Sequence, residues 1–361
     1  MALLTSVVIV VLALIATAFY SYVNEHCPID PAAVHLAPQP KLEGVYARNT
    51  LLENVEKLGE GNLVWPEDLV LGPDGKFLYV SCAGSGWIKK LHLADHSVED
   101  WQHVGGVPLG LALGPDGEVL VADALQGLVK VTDEGVEVLA SEVDGSKITF
   151  ADGVAVDRDG LIYLSDVSFK YNVSAHWFEF WEGKPNGRLI VYDPKAKSSR
   201  LLLDNIYSPT GLTLTKDEDA LIFTENVVAR ITKYYVKGDK KGTMEIMNEN
   251  LPGHPDNIHY NYDEGVYYVG IVGQRSALFD LIWKTPFLKK LVMVLPEAVR
   301  LSLDAAARTA RLLIIDDSGR ALRQYQDPDA KAVGIVTGGI KVGDYLYVSS
   351  MKETFVGRIK L

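Results

Sequence analysis

The stretch Leu69-Val-Leu-Gly-Pro-Asp-Gly-Lys-Phe-Leu-Tyr-Val80 decides the fold. Two runs of alternating apolar residues flank a Gly-Pro-Asp-Gly turn, and such alternation makes strands with one buried face. The Asp-Gly pair tolerates the positive φ that a tight hairpin needs. The unit returns as Leu111-Ala-Leu-Gly-Pro-Asp-Gly-Glu-Val-Leu-Val121 and as Val154-Ala-Val-Asp-Arg-Asp-Gly-Leu-Ile-Tyr-Leu164. Looser copies follow at 212–223 around Lys216-Asp217, at 258–269 around Asp263-Glu264-Gly265, and at 339–348 around Gly343-Asp344.

A third strand follows most copies, at 128–131, 188–192, 231–235 and 356–360. Four-stranded units recurring every ~40 residues are the pattern of a β-propeller. Six units predict an all-β, six-bladed β-propeller over 44–361. The last unit ends after its third strand at Leu361, so residues 44–58 are expected to supply its outer strand and remove the open edges. A weak extra turn near Asp304 is assigned to the fifth blade, whose outer strands are placed at 311–316 and 321–325.

Two insertions break the period. One, 167–186, carries Trp177, Phe178, Phe180 and Trp181. The other, 276–300, carries Leu278, Phe279, Ile282, Trp283, Phe287, Leu291 and Val292 at helical spacing and is expected to form one helical cap. Both are expected to cover one face and narrow the channel mouth. Simple packing against the blades and a membrane-touching surface are the other readings.

Residues 1–23 contain no charged side chain. Such a run matches the ~20 apolar residues that span a bilayer. It reads as an N-terminal apolar helix, either a signal anchor or, with Ala16-Thr17-Ala18 as a small-x-small site, a cleaved signal peptide. Either way the body is expected in the secretory pathway, lumenal if anchored and soluble if cleaved. Residues 24–43, with Pro28, Pro31, Pro38 and Pro40, read as an extended linker. Asn172-Val173-Ser174 is a glycosylation sequon that this location would allow. Cys27 and Cys82 are too few for a disulfide framework but could form one bridge in an oxidising compartment. With 35 basic and 47 acidic residues the net charge is −12, which argues against a nucleic-acid partner.

The innermost strands line the channel, so the residues just before them converge on the axis. They are Pro66-Glu67-Asp68, Pro108-Leu109-Gly110, Ala151-Asp152-Gly153, Pro209-Thr210-Gly211, Pro255-Asp256-Asn257 and Thr337-Gly338-Gly339. A hard cation such as Ca²⁺ takes oxygen ligands. Glu67, Asp256 and Asn257 supply them, and Asp152 and Thr210 could add more. The bland alternative is that these residues cap turns. His254 and His259 flank the channel end of the fifth blade.

Several of these segments resemble the strictosidine synthase-like family, plant-type branch. That family lies within the larger group of paraoxonases, gluconolactonases and the adipocyte plasma membrane-associated protein. The resemblance rests on Phe150-Ala-Asp-Gly-Val-Ala-Val156, Ser168-Phe-Lys-Tyr-Asn172, Glu182-Gly-Lys-Pro-Asn-Gly-Arg-Leu189, Tyr234-Tyr-Val-Lys-Gly238 and Asn250-Leu-Pro-Gly-His-Pro-Asp-Asn-Ile258. It implies a six-bladed propeller and the secretory route, often vacuole or endoplasmic reticulum. The acid/base glutamate of strictosidine synthase would fall at Thr337 or Gly338, neither of which shuttles a proton as a carboxylate does. The histidine pair of the paraoxonases would fall at Leu109 and Asp123. Their calcium site resembles Glu67, Asp256 and Asn257, with two of its asparagines falling at Ala151 and Thr210 and Asp152 beside the first.

Three readings follow. The first is a divergent metal-dependent hydrolase of small esters or lactones. The second is a non-catalytic propeller binding a small molecule in the channel, or a partner. The third is an amine–aldehyde condensing enzyme of the strictosidine synthase type, with Glu179 or Glu182 as a relocated acid/base.

Overall fold

The computed structural model describes the backbone of residues 1–307 and 309–361, and of these the side chains of all but residues 2, 3 and 303–307. The Asp-Gly turns close antiparallel hairpins as their chemistry dictates. Gly75 has φ 70° and Gly117 φ 86°, each with open space where a Cβ would point. Glycine is there for backbone conformation and not for room.

The chain folds into an all-β, propeller-like arrangement preceded by an apolar helix. Ladder 1 runs Pro66–Leu71, Phe77–Cys82, Trp87–His92, Val98–His103. Ladder 2 runs Pro108–Leu113, Val119–Asp123, Gly127–Thr132, Gly135–Ala140. Ladder 3 runs Ala151–Val156, Ile162–Asp166, Gly187–Asp193, Ser198–Ile206, and ladder 4 Pro209–Leu214, Ala220–Glu225, Arg230–Tyr235, Met244–Asn248. These four are separate four-stranded sheets.

The remainder differs from the expected discrete blades. Apart from a two-stranded hairpin at Glu142–Val143 and Ser146–Lys147, it is one eight-stranded sheet. Within it lie ladder 5 (Gly253–Asn261, Val266–Gln274, Ala310–Asp316, Ala321–Asp327) and ladder 6 (Val336–Val342, Tyr345–Ser350, Val356–Lys360, Glu56–Leu58), joined at the single pair Ile271↔Val336. The cause is length. Val266–Gln274 has nine residues where Val119–Asp123 has five, so its end reaches the neighbouring inner strand.

The inner strands touch one another in order around the axis, and Val336–Val342 touches Pro66–Leu71 to complete the circuit. Only Glu56–Leu58 of the expected closing strand 44–58 forms strand. It pairs antiparallel with the last strand, Glu56↔Arg358 to Leu58↔Val356. Apolar clusters fill the spaces between successive ladders, as with Tyr79, Ile88, Leu111 and Val121 between ladders 1 and 2. Residues 297–307, including the expected turn at Asp304, are helical, while the outer strands assigned to the fifth unit form as expected.

Helix α1 (Ala2–His26) runs past the expected boundary at residue 23. Its Leu4–His26 part has mean hydropathy 2.3 and is exposed except at its end, where Val23 is buried; it is long and apolar enough to cross a bilayer, as a signal sequence also can be. Residues 27–43 are no free linker. Val34 N–H donates to Trp283 O at 3.0 Å, Ala32 N–H to Glu182 O at 2.8 Å, and Arg275 Nη2 to Ala37 O at 2.6 Å. Both insertions carry helices, not one: α2 (His176–Glu182) in the first, and α3 (Ala277–Trp283), α4 (Pro286–Val294) and α5 (Glu297–Ala307) in the second. They meet over one face, where Trp181 and Trp283 ring centroids lie 5.4 Å apart. The candidate Cys27–Cys82 bridge is not formed. Cys82 is buried between ladders 6 and 1, whereas Cys27 packs with the cap, and burial pushes the Cys82 thiol up to about 12.

Candidate functional site

Every inner strand is irregular at its axial residues. Register shifts fall between Pro66 and Leu69, Pro108 and Leu111, Ala151 and Val154, Pro209 and Leu212, Pro255 and Ile258, and Val336 and Gly338. Bulges of this kind re-aim side chains. Axial glycines let the strands close up. A Cβ on Gly110 would lie 2.3 Å from Asp152 O, and one on Gly211 2.6 Å from Asp256 O.

The bulges bring Glu67, Asp152, Asp256 and Asn257 together, all buried. Asn257 Nδ2 donates to Glu67 Oε1 at 2.8 Å, and Thr337 Oγ1 donates to Glu67 O at 2.6 Å. Glu67 Oε2 and Asp152 Oδ1 are buried without a partner. Burial, reinforced by Asp256, Asp152 and Asp68, holds Glu67 well above the usual carboxylate range. Burial, then Asp256 and Asp68, does the same to Asp152. Burial and then Asp68 push Asp256 up to about 7, against a pull from the Thr210 hydroxyl. Thr210 is otherwise engaged, its Oγ1 2.8 Å from Thr224 Oγ1.

One pair here was not read from the sequence. His259 Nε2 lies 2.7 Å from Asp68 Oδ1, and Asp68 also accepts from Leu69 N–H and Leu111 N–H, each at 2.8 Å. Burial pulls the His259 pKa down, but the Asp68 carboxylate outweighs it and the net shift is upward. The available signal was the alternation of Asn257 and His259, which puts residues two apart on one face of a strand. His254 differs. Its Nδ1 lies 2.8 Å from Asn226 O, its Nε2 has no partner, and burial lowers its pKa to about 4.

By donor type the axial residues fit a hard cation: carboxylates and an amide, two of their oxygens orphaned. They do not form a finished cage. Among the described residues no three histidine, cysteine or acidic side chains stand in metal-holding geometry.

Other acids make local bonds. Asp123 Oδ1 accepts from Leu125 and Gln126 N–H at 2.9 and 3.0 Å, capping a turn, while its Oδ2 is buried without a partner. Glu179 and Glu182, the expected relocated acid/base candidates, are buried and fully engaged, not presented at the mouth. Glu179 accepts from Ser168, Asn186 and Ser208, and Glu182 from Lys170 Nζ at 2.7 and 2.8 Å. Asn172 is exposed at the start of a 3-10 turn. Two surface depressions, of about 380 and 620 Å³, contain no axial residue.

Comparison with known proteins gives this architecture a family. A strictosidine synthase family model matches residues 152–239, and a strictosidine synthase-like N-terminal model matches residues 44–91. Protein STRICTOSIDINE SYNTHASE-LIKE 6 of Arabidopsis thaliana is 36% identical over 93% of this chain and 88% of its own length. The adipocyte plasma membrane-associated protein of Bos taurus is 32% identical over 92% of this chain and 85% of its own length. Among solved structures, a gluconolactonase from Xanthomonas campestris superposes with TM-score 0.61 at 12% identity, covering 92% of this chain and 98% of that one. That last likeness concerns fold alone. With relatives aligned across nearly its whole length, the chain belongs to the strictosidine synthase-like family.

Proposed function

We propose that the protein is a divergent metal-dependent hydrolase of small esters or lactones, built on a six-bladed propeller whose fifth and sixth blades are ladders 5 and 6. The observation that carries this reading is the axial cluster. Burial first, and then neighbouring carboxylates that include Asp68, raise the pKa of all three acids, and two of their oxygens have no partner. Glu67, Asp152, Asp256 and Asn257 are the residues that would hold a Ca²⁺ ion. A bound divalent ion supplies Lewis acidity toward a carbonyl oxygen.

The chain's own groups do the rest. Asn257 orients Glu67 through its amide. The aromatic cap packs on His254 of the same inner strand as Asp256, with the Phe180 and Phe279 centroids each 5.0 Å from its ring. Channel binding without catalysis is the second reading, favoured by Leu109 and Asp123 standing where a histidine pair would be. A condensing activity has lost its candidate acids to structural bonds.

The test is calcium titration of the full-length protein in detergent, followed by thermal unfolding with and without chelator. A ligand that binds only the folded state raises the midpoint with concentration. The expected result is a calcium-dependent rise that Glu67→Gln abolishes, and turnover in an ester and lactone panel that needs the ion. No rise in the parent protein, or equal turnover in Glu67→Gln, rejects the reading.

A further inference from the structure

The two faces of the ring differ in what they expose. Connections between second and third strands, and from each ladder to the next, emerge on one face. The turns between first and second strands, and between third and fourth, emerge on the other. The first face carries Trp65, Leu125, Phe169, Leu278, Leu281 and Leu301, all exposed, with Leu278 at 66%, Phe169 at 51% and Trp65 at 49%. The opposite turns are built of groups such as Asp74, Lys76, Asp116, Glu118 and Asp217, and there the large exposed hydrophobics among the described residues are Tyr262 and, at the strand ends beside the turns, Met244, Leu322 and Leu361. An apolar rim spread over one face marks an interaction surface.

Continuity says what covers it. Helix α1, exposed except at its end, is fastened to this same face. Tyr20 stacks on Phe287 of α4 with centroids 5.2 Å apart, and Lys290 Nζ donates to Asn24 Oδ1 at 2.7 Å. Beyond α1, the strap of residues 27–37 is hydrogen-bonded to both insertions. A helix held in a bilayer by this attachment sets the rim against the lipid.

We infer that the capped face lies on the bilayer surface, with α3, α5 and the loops at Trp65, Leu125 and Phe169 dipping into the headgroup–acyl boundary. Interfacial elements of this kind bury apolar side chains a few ångströms deep. The axial pairs begin on the same face, so a ligand reaching Glu67 enters from the lipid–water boundary. This places molecules that partition into membranes ahead of purely aqueous ones. The inference needs α1 in the bilayer but not a bound metal.

The experiment uses the full chain in phosphatidylcholine vesicles containing a phospholipid with a photoactivatable diazirine in its acyl chain. After irradiation, lipid adducts are mapped by mass spectrometry. Adducts are expected on α1, on α3 and α5, and on the loops at Trp65, Leu125 and Phe169, with none on the turns at Asp116 or Asp217. A Leu278→Glu/Leu281→Glu/Leu301→Glu variant is expected to lose the cap adducts while keeping those on α1 and the parent's melting midpoint. Adducts confined to α1, or none, overturn the inference. So do chain–chain crosslinks through the rim in place of lipid adducts, which would make it a protein contact. Adducts at the rim with no calcium-induced stabilisation would retain the inference and reject only the hydrolase reading.

Discussion

Glu67 Oε2 and Asp152 Oδ1 are orphaned oxygens in a protein that satisfies most of its other buried polar groups, and leaving such a group unpaired costs on the order of 1–3 kcal/mol. Mutual repulsion adds to this, and it has a sign. Asp256 starts from 3.8 and is raised to about 7, so the folded state holds the extra proton between those values. Its contribution to stability is full below the unfolded pKa and is lost as pH rises through about 7. With chelator present, the Asp256 contribution to stability should therefore fall between pH 4 and 7, by up to about 1.4 kcal/mol per pH unit. Asp256→Asn should flatten the slope, and calcium should flatten it in the parent protein. Urea unfolding of the parent and of Asp256→Asn across this range isolates the Asp256 contribution, because buried His254, lowered to about 4, acts with the opposite sign in both proteins; a slope that Asp256→Asn leaves unchanged would contradict the raised Asp256 pKa. Glu67, Asp256 and Asn257 were legible because each precedes a recurring strand. Their bulges were not, since a register shift depends on the partner strand. Glu179 and Glu182 misled for a related reason. Acids in an aromatic insertion look exposed until Ser168, Asn186 and Lys170, which lie outside the helix, are seen to enclose them.

At the scale of elements, the hairpins could be read from Gly-Pro-Asp-Gly and alternation alone, because those signals are local. The strap over the cap could not. Pro28, Pro31, Pro38 and Pro40 describe an extended chain equally well whether it is free or docked. Docking is visible only through partners such as Lys289, whose Nζ donates to Ala32 O at 2.9 Å and lies 4.3 Å from the Trp283 ring centroid. Burial lowers the Lys289 pKa from 10.5 to about 7, with Glu182 opposing. The folded state thus gives up a proton that the unfolded chain keeps between those values. The stability tied to this depressed pKa is complete above 10.5 and lost as pH falls through about 7. Lys289→Met keeps the volume and removes the charge, so it should be more stable than the parent at pH 7, by about 1 kcal/mol or more. That advantage should shrink towards pH 10. Chemical denaturation of both proteins at the two pH values checks it. A constant difference would mean that Lys289 reaches water as an ammonium in the folded protein.

For the whole molecule, the decisive contact is a strand of three residues. Glu56–Leu58 pairs residues from before ladder 1 with the last strand, and nearby backbone bonds reinforce it, with Trp65 N–H donating to Glu353 O at 3.0 Å and Gly61 N–H to Thr354 O at 2.9 Å. Arg358 grips Glu56 Oε2 through Nε at 2.9 Å and Nη2 at 2.6 Å, an exposed pair of small worth. Leu58 is buried in the cluster with Val80, Tyr347 and Val356 between ladders 6 and 1, so it carries the closure. Leu58→Ala should cost about 2–5 kcal/mol, while Glu56→Ala should cost under about 1 kcal/mol. If the inner strands form one closed circuit, opening it exposes an edge on each side and every ladder feels the loss. Unfolding should then shift by the same amount whether followed at Trp101 in ladder 1 or at Trp283 under the cap. Equal shifts make the ring the cooperative unit and the axial site a property of its closure. A Leu58→Ala shift confined to Trp101, with Trp283 unchanged, would mean that ladders 4 and 5 and the cap stand without the closing strand, and that the axial acids of ladder 5 can be held in place by part of the ring.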